Sequence, residues 1–467
     1  MKAFDVVVIG AGPGGYVTAI RASQLGMKAA IIERENLGGI CLNWGCIPTK
    51  ALLKSAETFA TLNHLKDYGL KAEKIDFDFS AIIERSRGAA KQLNGGVAYL
   101  MKKNKIEVIE GTAKLEKGSP APEVIVEKKG GGQETLTAKH VVLATGARAR
   151  EVPAIGLAAD GEHIWTYRHA LTPKACPKSL VVVGSGAIGM EFACFYRTLG
   201  AEVTVIEAMD RILPAEDAEV SAAAQKSFAK QGIKFLTGAK VEKLEAVKSG
   251  VVAKVGVKGK TETLTADKAI VAIGITGNIE NLGLEALGVK TDRGHVVNDD
   301  HGKTNVQGLY AIGDVAGPPW LAHKASHEGI HCIEHIAGLK PSNLTTPIPG
   351  CTYTHPQVAS VGMTEAKAKE AGHKVKVGRF PFSANGKAIA AGETDGFIKT
   401  VFDEKTGALL GAHMFGHEVT EMIQGFALAI TLEATEAEIM ATVFPHPTMS
   451  EGMHESVLDA FDRVLHT

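Results

Sequence analysis

Residues 4–33, FDVVVIGAGPGGYVTAIRASQLGMKAAIIE, decide how this chain folds. A short apolar, β-branched run leads into the glycine motif GxGxxG at residues 10–15, and an apolar-periodic stretch follows as far as Gly26. The next run, AAIIE, ends at Glu33. This order predicts a strand, a helix and a second strand of a parallel sheet. Because the glycines permit a tight turn against a pyrophosphate and the acid can bind ribose hydroxyls, the unit predicts a dinucleotide site.

The same pattern recurs further along the chain. SLVVV leads into a second GxGxxG at residues 184–189, and EVTVI is followed by Glu207. Gly184 lies as far beyond Gly10 as Glu207 lies beyond Glu33, so the two units have the same internal spacing. A repeat at the scale of a domain indicates two nucleotide cofactors held in one chain.

Similar closing strands indicate how the two units are connected. HVVLATG reaches Gly146 and KAIVAIG reaches Gly274, so the second unit is predicted to lie between two halves of the first domain. The segment LYAIGD, residues 309–314, would then return the chain to the first sheet. Asp314 would stand at the carboxyl end of a strand, where ligands of such sheets bind.

The predicted fold class is α/β, with two Rossmann-like dinucleotide-binding domains, the second inserted in the first, and a C-terminal α+β domain. The predicted spans are 1–146 and 275–347 for the first domain, 147–274 for the second and 348–467 for the third. Smaller predicted elements are a helix at 76–104, a hairpin or loop at 117–134, strands at 351–361, 374–382, 396–402 and 408–415, and helices at 417–432, 436–442 and 451–464.

Composition excludes several classes of function. The 51 Lys and Arg residues against 52 Asp and Glu give a net charge of -1 without a basic block, so we expect neither nucleic acid nor a membrane as partner. No apolar run approaches the roughly 20 residues of a spanning helix, and the first strand begins by Phe4. Six cysteines in 467 residues are too few for a secreted disulfide scaffold. We therefore expect a cytoplasmic chain.

Two cysteines, Cys41 and Cys46, lie close together in GGICLNWGCIPTK, residues 38–50. Positions five apart in an unbroken helix have Cα atoms roughly 8 to 9 Å apart, too far for a disulfide, so a bond here would require a distorted helix start. Closing so small a loop would contribute only about 2 kcal/mol to stability, which favours a redox role. A local staple, or a pair of free and partly buried thiols, is the alternative.

A candidate base occurs near the C-terminus, in HPTMSE. Thiol attack on a disulfide requires thiolate, so a base must accept the thiol proton. His446 lies between two prolines and is not expected inside a helix, although a hydrogen-bonded core histidine is the alternative. Glu451 could orient its ring, as Asp does for His in hydrolase triads, but also fits a capping box that begins at Thr448.

The motifs occur together in a known order: GGICLNWGCIPTKALL, the two glycine motifs, TNVQGLYAIGDVAG, LAHKASHEG, YTHPQVASVGMTE and HPTMSE. On these motifs the chain resembles the pyridine nucleotide-disulfide oxidoreductases from about residue 4 to residue 464, and especially the members that oxidise dihydrolipoamide. The resemblance implies a flavoprotein oxidoreductase with FAD and NAD as cofactors. It also implies a homodimer in which the C-terminal domain of one subunit completes the active site of the other.

The resemblance also implies a role for each site residue. Cys41 would form the mixed disulfide with substrate, Cys46 would face the flavin as charge-transfer donor, and His446 and Glu451 would be the acid-base pair. The implied FAD-binding residues are Gly10, Gly12, Gly14, Gly15, Glu33, Lys50, Ala113, Thr145, Gly146, Asp314, Leu321, Ala322 and His323. The implied NAD-binding residues are Gly184, Gly186, Ile188, Gly189, Glu191, Glu207, Val241 and Gly274. Lys50 would also pair with Glu191 near the flavin, unless it is a solvated helix residue, and no metal is expected.

Glu207 predicts NAD rather than NADP. A carboxylate accepts hydrogen bonds from ribose hydroxyls and repels a 2′-phosphate, and Ala208 and Met209 follow where NADP-dependent members carry arginines. The chain departs from the usual pattern at Phe444, at His327 and in the segment 274–277, where many relatives carry an arginine. We expect the first two departures to tune rate or pH response, and the third leaves the nicotinamide contacts undefined.

The expected reaction is oxidation of protein-bound dihydrolipoamide to lipoamide with reduction of NAD to NADH. The lipoyl domains and core of a 2-oxo acid dehydrogenase complex, or a glycine cleavage system, would be the partners. The alternatives are another NAD(P)H-dependent disulfide reductase of the family and a structural docking subunit of a large complex. Glu207 disfavours glutathione reduction, and the C-terminus RVLHT lacks the vicinal cysteines of mercuric ion reduction. Intact Cys41, Cys46 and His446 argue against a purely structural role.

Overall fold

The structure is a computed structural model that describes residues 2–340 and 347–467. Its α-helices, in chain order, are α1 Pro13–Gln24, α2 Gly39–Trp44, α3 Cys46–Asn63, α4 Phe79–Lys103, α5 Tyr167–Ala170, α6 Ala187–Thr198, α7 Ala218–Lys230, α8 Ala322–Ile336, α9 Glu365–Glu370, α10 Gly386–Ala391, α11 Val419–Thr431, α12 Glu436–Ala441 and α13 Glu451–Ala460. Short 3-10 helices lie at Leu65–Tyr68, Pro153–Ile155, Gly313–Ala316 and Phe382–Ala384.

The strands, in chain order, are β1 Lys2–Ile9, β2 Ala29–Glu33, β3 Glu107–Glu116, β4 Glu123–Lys128, β5 Gln133–Leu143, β6 Ala147–Ala149, β7 Ile164–Trp165, β8 Ser179–Val183, β9 Glu202–Ile206, β10 Lys234–Leu236, β11 Ala239–Val247, β12 Gly250–Val257, β13 Lys260–Ala266, β14 Lys268–Val271, β15 Ile275–Gly277, β16 Thr291–Asp292, β17 His295–Val296, β18 Leu309–Ala311, β19 Gly350–Thr352, β20 Gln357–Gly362, β21 Val375–Pro381, β22 Phe397–Asp403 and β23 Leu409–Gly416.

The chain forms two compact units. The described residues of the first are 2–51, 81–150 and 274–340, and those of the second are 52–80, 151–273 and 347–467. The division of the chain into FAD, NAD and interface spans at the boundaries given above stays a prediction. No helix within the described residues combines the length and the apolar character needed to cross a membrane.

The sheet of the first unit is built around β1. This strand lies between β2 and β5, and both pairings are parallel, with Val8 opposite Ile31 on one side and Val142 on the other. β18 adds to the far side of β5, also in parallel, with Leu309 opposite Val141. The predicted return of LYAIGD to the first sheet is therefore confirmed.

Both faces of this sheet are buried, which explains why the first strand is apolar at nearly every position. Val6 and Val8 pack on one face with residues of α1, α4 and α8. Val7 and Ile9 pack on the other with β3, β4 and the segment that carries Leu282. α4 confirms the helix predicted at 76–104, and β4 forms antiparallel pairs with β3 and β5, which confirms a hairpin within 117–134.

The second unit contains a parallel sheet of the same kind. β8 lies between β9 and β14, so the second glycine motif follows a central strand just as the first one does. β10 and β7 complete the edges of this sheet, and β11, β12 and β13 form a separate antiparallel sheet. The two predicted strand–helix–strand units are confirmed by these pairings.

The C-terminal part of the second unit is an antiparallel sheet in the order β19-β20-β23-β22-β21, packed against α11 and α13. The α+β character predicted here is confirmed. The single strand predicted at 351–361 is wrong, because β19 and β20 are separated by a turn at Pro356, which has no N–H to donate to a ladder. The last helix ends at Ala460 rather than 464, before Asp462 with a φ of 56°.

One buried cation ties together three segments of the second unit. Lys399 of β22 is 2% exposed, and its ammonium lies 3.0 Å from Asp217, 2.7 Å from Glu219 and 2.9 Å from Glu365. Burial acts to lower the pKa of Lys399, but hydrogen bonds to these carboxylates outweigh it and raise the pKa. Asp217 also accepts a hydrogen bond from the Glu219 N–H as the N-cap of α7.

We expect Lys399→Met to lower the free energy of unfolding by about 3 kcal/mol, because removing one member of a buried ion pair leaves the buried Asp217 uncompensated. Denaturant unfolding at neutral pH measures the change. Lys374→Met, at an exposed lysine that precedes β21, is the matched control and should change stability by less than about 0.5 kcal/mol. Equal stability of the two variants would contradict a structural role for the Lys399 cluster.

Candidate active site

Cys41 and Cys46 form a disulfide, with Cα atoms 4.7 Å apart. α2 ends before Gly45, whose φ of -148° and ψ of -112° lie outside the helical region, and α3 begins at Cys46. An unbroken helix would hold the two Cα atoms about 8 to 9 Å apart. The interruption at Gly45 is therefore what brings the two sulfurs together, and the distorted helix start required by such a bond is confirmed.

Two side chains of α4 hold the redox segment in place. Arg87 donates a hydrogen bond to the backbone oxygen of Asn43 and lies over the Trp44 ring, 4.7 Å from its centroid. Asn94 donates to the backbone oxygen of Leu37 at 2.8 Å. Sequence reasoning missed both residues, because α4 is remote in sequence and no local motif marks these positions.

The first glycine turn is closed toward the sheet and open on one side. A Cβ at Gly10, whose φ is 102°, would lie 2.3 Å from the Ala144 oxygen, and one at Gly15 would lie 1.9 Å from the Gly10 oxygen. At Gly12 the nearest atom would be the Cα of Gly39 at 4.0 Å. The open position lies at the N-terminus of α1, where backbone N–H groups can donate hydrogen bonds to a phosphate. The turn therefore fits a dinucleotide.

Glu33 is connected to that turn. One carboxylate oxygen accepts a hydrogen bond from the Ala11 N–H at 2.8 Å, and the other accepts from the Glu35 N–H at 2.8 Å. Gly14, which precedes the third motif glycine, lies close to α8, because a Cβ there would be 3.1 Å from the Ala325 oxygen. The backbone N–H groups of Ala11 and Glu35 therefore already orient Glu33, the predicted ribose-binding acid.

Asp314 follows the carboxyl end of β18, as predicted, and lies in the short 3-10 helix Gly313–Ala316. Burial raises the pKa of Asp314, although Lys324 acts in the opposite direction. Glu328, which sequence reasoning missed, accepts hydrogen bonds from the Gly313 N–H at 2.7 Å and forms an ion pair with Lys324 at 2.8 Å. The four-residue spacing of Lys324 and Glu328 on one helix is a signal that could have identified this pair. Residues Leu321, Ala322 and His323 lie at the start of the same helix, α8.

Thr145 and Gly146 follow β5 and are held by a side chain that the sequence did not single out. The Thr145 hydroxyl donates to the Asn278 backbone oxygen, and the Asn278 amide donates to the Thr145 oxygen, both at 2.9 Å. Gly146 has a φ of 67°. Ala113 of β3 is 4% exposed, with its methyl group in the core of the sheet, so its role in cofactor binding stays a prediction.

The second glycine turn repeats the geometry of the first. A Cβ at Gly184, whose φ is 99°, would lie 2.3 Å from the Ala272 oxygen, and one at Gly189 would lie 2.1 Å from the Gly184 oxygen. A Cβ at Gly186 would meet nothing within 4 Å. This turn also fits a dinucleotide at the N-terminus of a helix, here α6.

Glu207 makes three hydrogen bonds at this turn. One carboxylate oxygen accepts from the N–H and the hydroxyl of Ser185, at 2.9 Å and 2.7 Å. The other accepts from the Met209 N–H at 2.8 Å. Glu207 is 8% exposed, so its carboxylate is fixed before any nucleotide binds.

The remaining predicted NAD residues are dispersed around this turn. Ile188 is an exposed apolar residue in the first turn of α6, and Val241 lies at a bulge in β11. Glu191 is buried on α6 and accepts a hydrogen bond from the Tyr353 N–H at 3.0 Å. Gly274 has a φ of 104°. Lys50 lies on α3, and its pairing with Glu191 stays a prediction.

His446 and Glu451 are brought together at the start of α13. The histidine Nδ1 lies 2.8 Å from one Glu451 oxygen, and the other oxygen accepts a hydrogen bond from the Thr448 N–H at 2.8 Å. The Thr448 hydroxyl donates instead to the Pro445 oxygen. A complete capping box is therefore not formed, and the carboxylate serves both a helix terminus and a histidine.

The electrostatics of this pair suit an acid-base role. Partial burial acts to raise the pKa of Glu451, but the Thr448 N–H and the His446 ring outweigh it and lower the pKa. The carboxylate therefore stays ionised near neutral pH and stabilises a protonated imidazole. With Nδ1 held by Glu451, the Nε2 atom of an exposed ring is left to accept a proton.

Comparison with known proteins identifies the family. The family described as pyridine nucleotide-disulphide oxidoreductase matches residues 4–329, and the dimerisation domain of that family matches residues 348–457. This chain belongs to the pyridine nucleotide-disulphide oxidoreductase family. The resemblance of its motifs to that family is confirmed, as is the dimerisation character of the C-terminal domain.

Curated members of this oxidoreductase family match the chain over its full length. A protein named dihydrolipoyl dehydrogenase from Rhizobium etli is 59% identical over 479 residues, covering 99% of both chains. One of the same name from Zymomonas mobilis is 57% identical with the same coverage. Among solved structures, LpdA from Mycobacterium tuberculosis has a TM-score of 0.90 at 26% identity over 98% of this chain and 99% of its own. The Cu(II) complex of the HOCl-induced flavoprotein disulfide reductase RclA from Escherichia coli has a TM-score of 0.86 at 25% identity, over 98% and 99%.

Gly15→Ala tests the closed side of the first turn. We expect it to reduce FAD content and to lower the free energy of unfolding by about 1 to 3 kcal/mol, because the new methyl group would overlap the Gly10 oxygen. Absorbance of bound flavin and denaturant unfolding measure the two effects. Gly95→Ala, on α4 where a Cβ meets nothing within 4 Å, is the control and should retain both properties. Full flavin content in Gly15→Ala would contradict the proposed fit.

Proposed function

We propose that this chain is a dihydrolipoyl dehydrogenase that oxidises protein-bound dihydrolipoamide and reduces NAD to NADH. The observation that carries the proposal is the Cys41–Cys46 disulfide in a chain that also holds two dinucleotide turns and a carboxylate-bound histidine. High identity to proteins of that name, over the full length of both chains, supports the substrate.

The two turns would hold different cofactors. The first, with Glu33 and Asp314, would hold FAD, and the second, with Glu207, would hold NAD. When bound, FAD would supply the two-electron exchange between a dithiol and a nicotinamide. The protein would orient Glu33 and Glu207 to accept hydrogen bonds from ribose hydroxyls and would present helix N-termini to the phosphates. It would also keep the disulfide accessible to thiols.

The dithiol chemistry follows from thiol–disulfide exchange. His446 accepts a proton from one substrate thiol at Nε2 while Glu451 stabilises the imidazolium. The resulting thiolate attacks the Cys41 sulfur, the Cys41–Cys46 bond breaks, and Cys46 leaves as thiolate. The second substrate thiol then displaces Cys41 from the mixed disulfide, which releases oxidised lipoamide and leaves both cysteines reduced.

A homodimer is supported by the dimerisation domain, and we propose that each active site uses the disulfide of one subunit and the His446–Glu451 pair of the other. Cys41→Ser and His446→Gln should each retain FAD, and His446→Gln should oxidise dihydrolipoamide about 10²- to 10⁴-fold more slowly. If sites are shared, a mixed dimer of these two variants, isolated with two affinity tags, has one complete active site and one that lacks both Cys41 and His446. We expect about half the wild-type rate of NADH formation per dimer.

The reciprocal mixed dimer is the control. A wild-type subunit paired with a Cys41→Ser/His446→Gln subunit leaves no complete shared site, so it should be inactive. If the reciprocal dimer is active and the first mixed dimer is not, the histidine acts within its own subunit and the shared site is wrong.

The choice of nucleotide is proposed to depend on Glu207. We expect the wild-type enzyme to use NAD far more efficiently than NADP, and Glu207→Ala to lower kcat/KM for NAD by about 10- to 100-fold, because a charged hydrogen-bond acceptor for ribose is lost. Steady-state rates with each nucleotide measure this. Glu202→Ala, at an exposed residue of β9, is the control. Equal efficiency of the wild-type enzyme with NAD and NADP would overturn the assignment.

The cellular context extends this proposal. We propose a cytoplasmic enzyme that serves the lipoyl domains of a 2-oxo acid dehydrogenase complex or a glycine cleavage system. NADH formation with free dihydrolipoamide supports the reaction itself. Absence of turnover in protein that retains FAD would favour another disulfide substrate, or a structural subunit, over this assignment.

A further inference from the structure

Three potential metal ligands converge in the second unit. Glu57, His355 and His417 each offer one ligand atom, and these atoms lie within 4.8 Å of one another. Two imidazoles and one carboxylate form the donor set of many zinc sites. Zinc bonds of about 2.0 to 2.2 Å place ligand atoms about 3.4 Å apart, so small side-chain rotations would close this set around an ion.

The fold explains why the two histidines meet. β20 and β23 are antiparallel, with Gln357 opposite Gly416, so the residues before β20 and after β23 lie at the same end of the sheet. The backbone at His355 is held by a hydrogen bond from the Gln231 side chain to its oxygen at 2.9 Å. Glu57 is supplied by α3, the helix that begins at Cys46.

The surroundings also suit a cation. Nε2 of His355 lies 3.8 Å from a Glu393 oxygen, and Nε2 of His417 lies 3.4 Å from a Glu418 oxygen. The two carboxylates place negative charge beside the rings, which favours a bound cation. The side chains of Glu57, His355 and His417 are 30%, 41% and 24% exposed, so an ion can enter from solvent and retain water as a further ligand.

We propose that Glu57, His355 and His417 bind one divalent transition-metal ion of the zinc class per chain. This differs from the expectation of no metal drawn from the sequence, where the three residues are far apart and match no ligand spacing. Lys54 lies on the same helix with its ammonium 3.0 Å from Glu57, so it competes with an ion for the carboxylate. The ion would connect α3 to the end of the C-terminal sheet where β20 begins and β23 ends.

Calorimetric titration of Zn²⁺ into the oxidised, FAD-loaded, metal-free dimer tests the site, because the disulfide then keeps Cys41 and Cys46 from binding metal. We expect one Zn²⁺ per chain and a rise in the unfolding temperature. His355→Ala, His417→Ala and Glu57→Gln should each weaken binding more than about tenfold, since loss of an outer-shell partner alone costs that much. Lys54→Gln should tighten it.

His64→Ala is the matched control, since it removes an exposed histidine just beyond α3 that is outside the cluster. It should bind Zn²⁺ as the wild type does. Retained FAD and an unchanged circular dichroism spectrum verify that each variant is folded. Unchanged affinity in His417→Ala or His355→Ala, or binding that occurs only after the disulfide is reduced, would overturn the proposal.

Discussion

The architecture depends on two places where a helix lies directly against the turn before it. No Cβ fits at Gly15, which faces the Gly10 oxygen, and none fits at Gly189, which faces the Gly184 oxygen. These contacts fix the first turn of each helix next to a sheet and leave its N–H groups at the sheet edge. The other residues of each nucleotide site are positioned relative to the start of its helix.

Both turns also use an acid in the same structural way. Glu33 accepts a hydrogen bond from the residue after the first glycine, Ala11, and Glu207 accepts one from the equivalent residue, Ser185. The acid therefore ties the turn to the end of the neighbouring strand, in addition to its proposed contact with a ribose. Loss of either acid affects the shape of a turn and the recognition of a nucleotide together.

Much of the fold could be predicted because its signals are local. The strand runs, the glycine motifs and the segment that ends at Asp314 can each be recognised from a few neighbouring residues. The structure places them as predicted. The contacts of Arg87 and Asn278 could not be predicted, because each joins positions far apart in sequence. The break at Pro356 was missed because residues 351–361 were treated as one strand although they contain a residue that cannot donate to a ladder.

The site was predictable to a similar extent. Cys41, Cys46 and His446 stand in motifs, but the division of Glu451 between a backbone N–H and a histidine could be seen only once both partners were placed. The Thr448 N–H and the His446 ring share one carboxylate, so the two predicted roles of Glu451 did not exclude each other. The ring of His446 is exposed, which leaves its Nε2 atom open to solvent.

The interruption at Gly45 has a consequence for the reduced protein. Arg87 and Asn94 donate hydrogen bonds to the backbone around Gly45, and these bonds involve neither sulfur. The backbone conformation therefore does not depend on the disulfide. After reduction the two thiols remain neighbours, and each meets the other at a high effective concentration. If a stray disulfide captures one of these thiols as a mixed disulfide, the neighbouring thiolate attacks that bond, re-forms Cys41–Cys46 and releases the stray group as a thiol, so the site is not left blocked between turnovers.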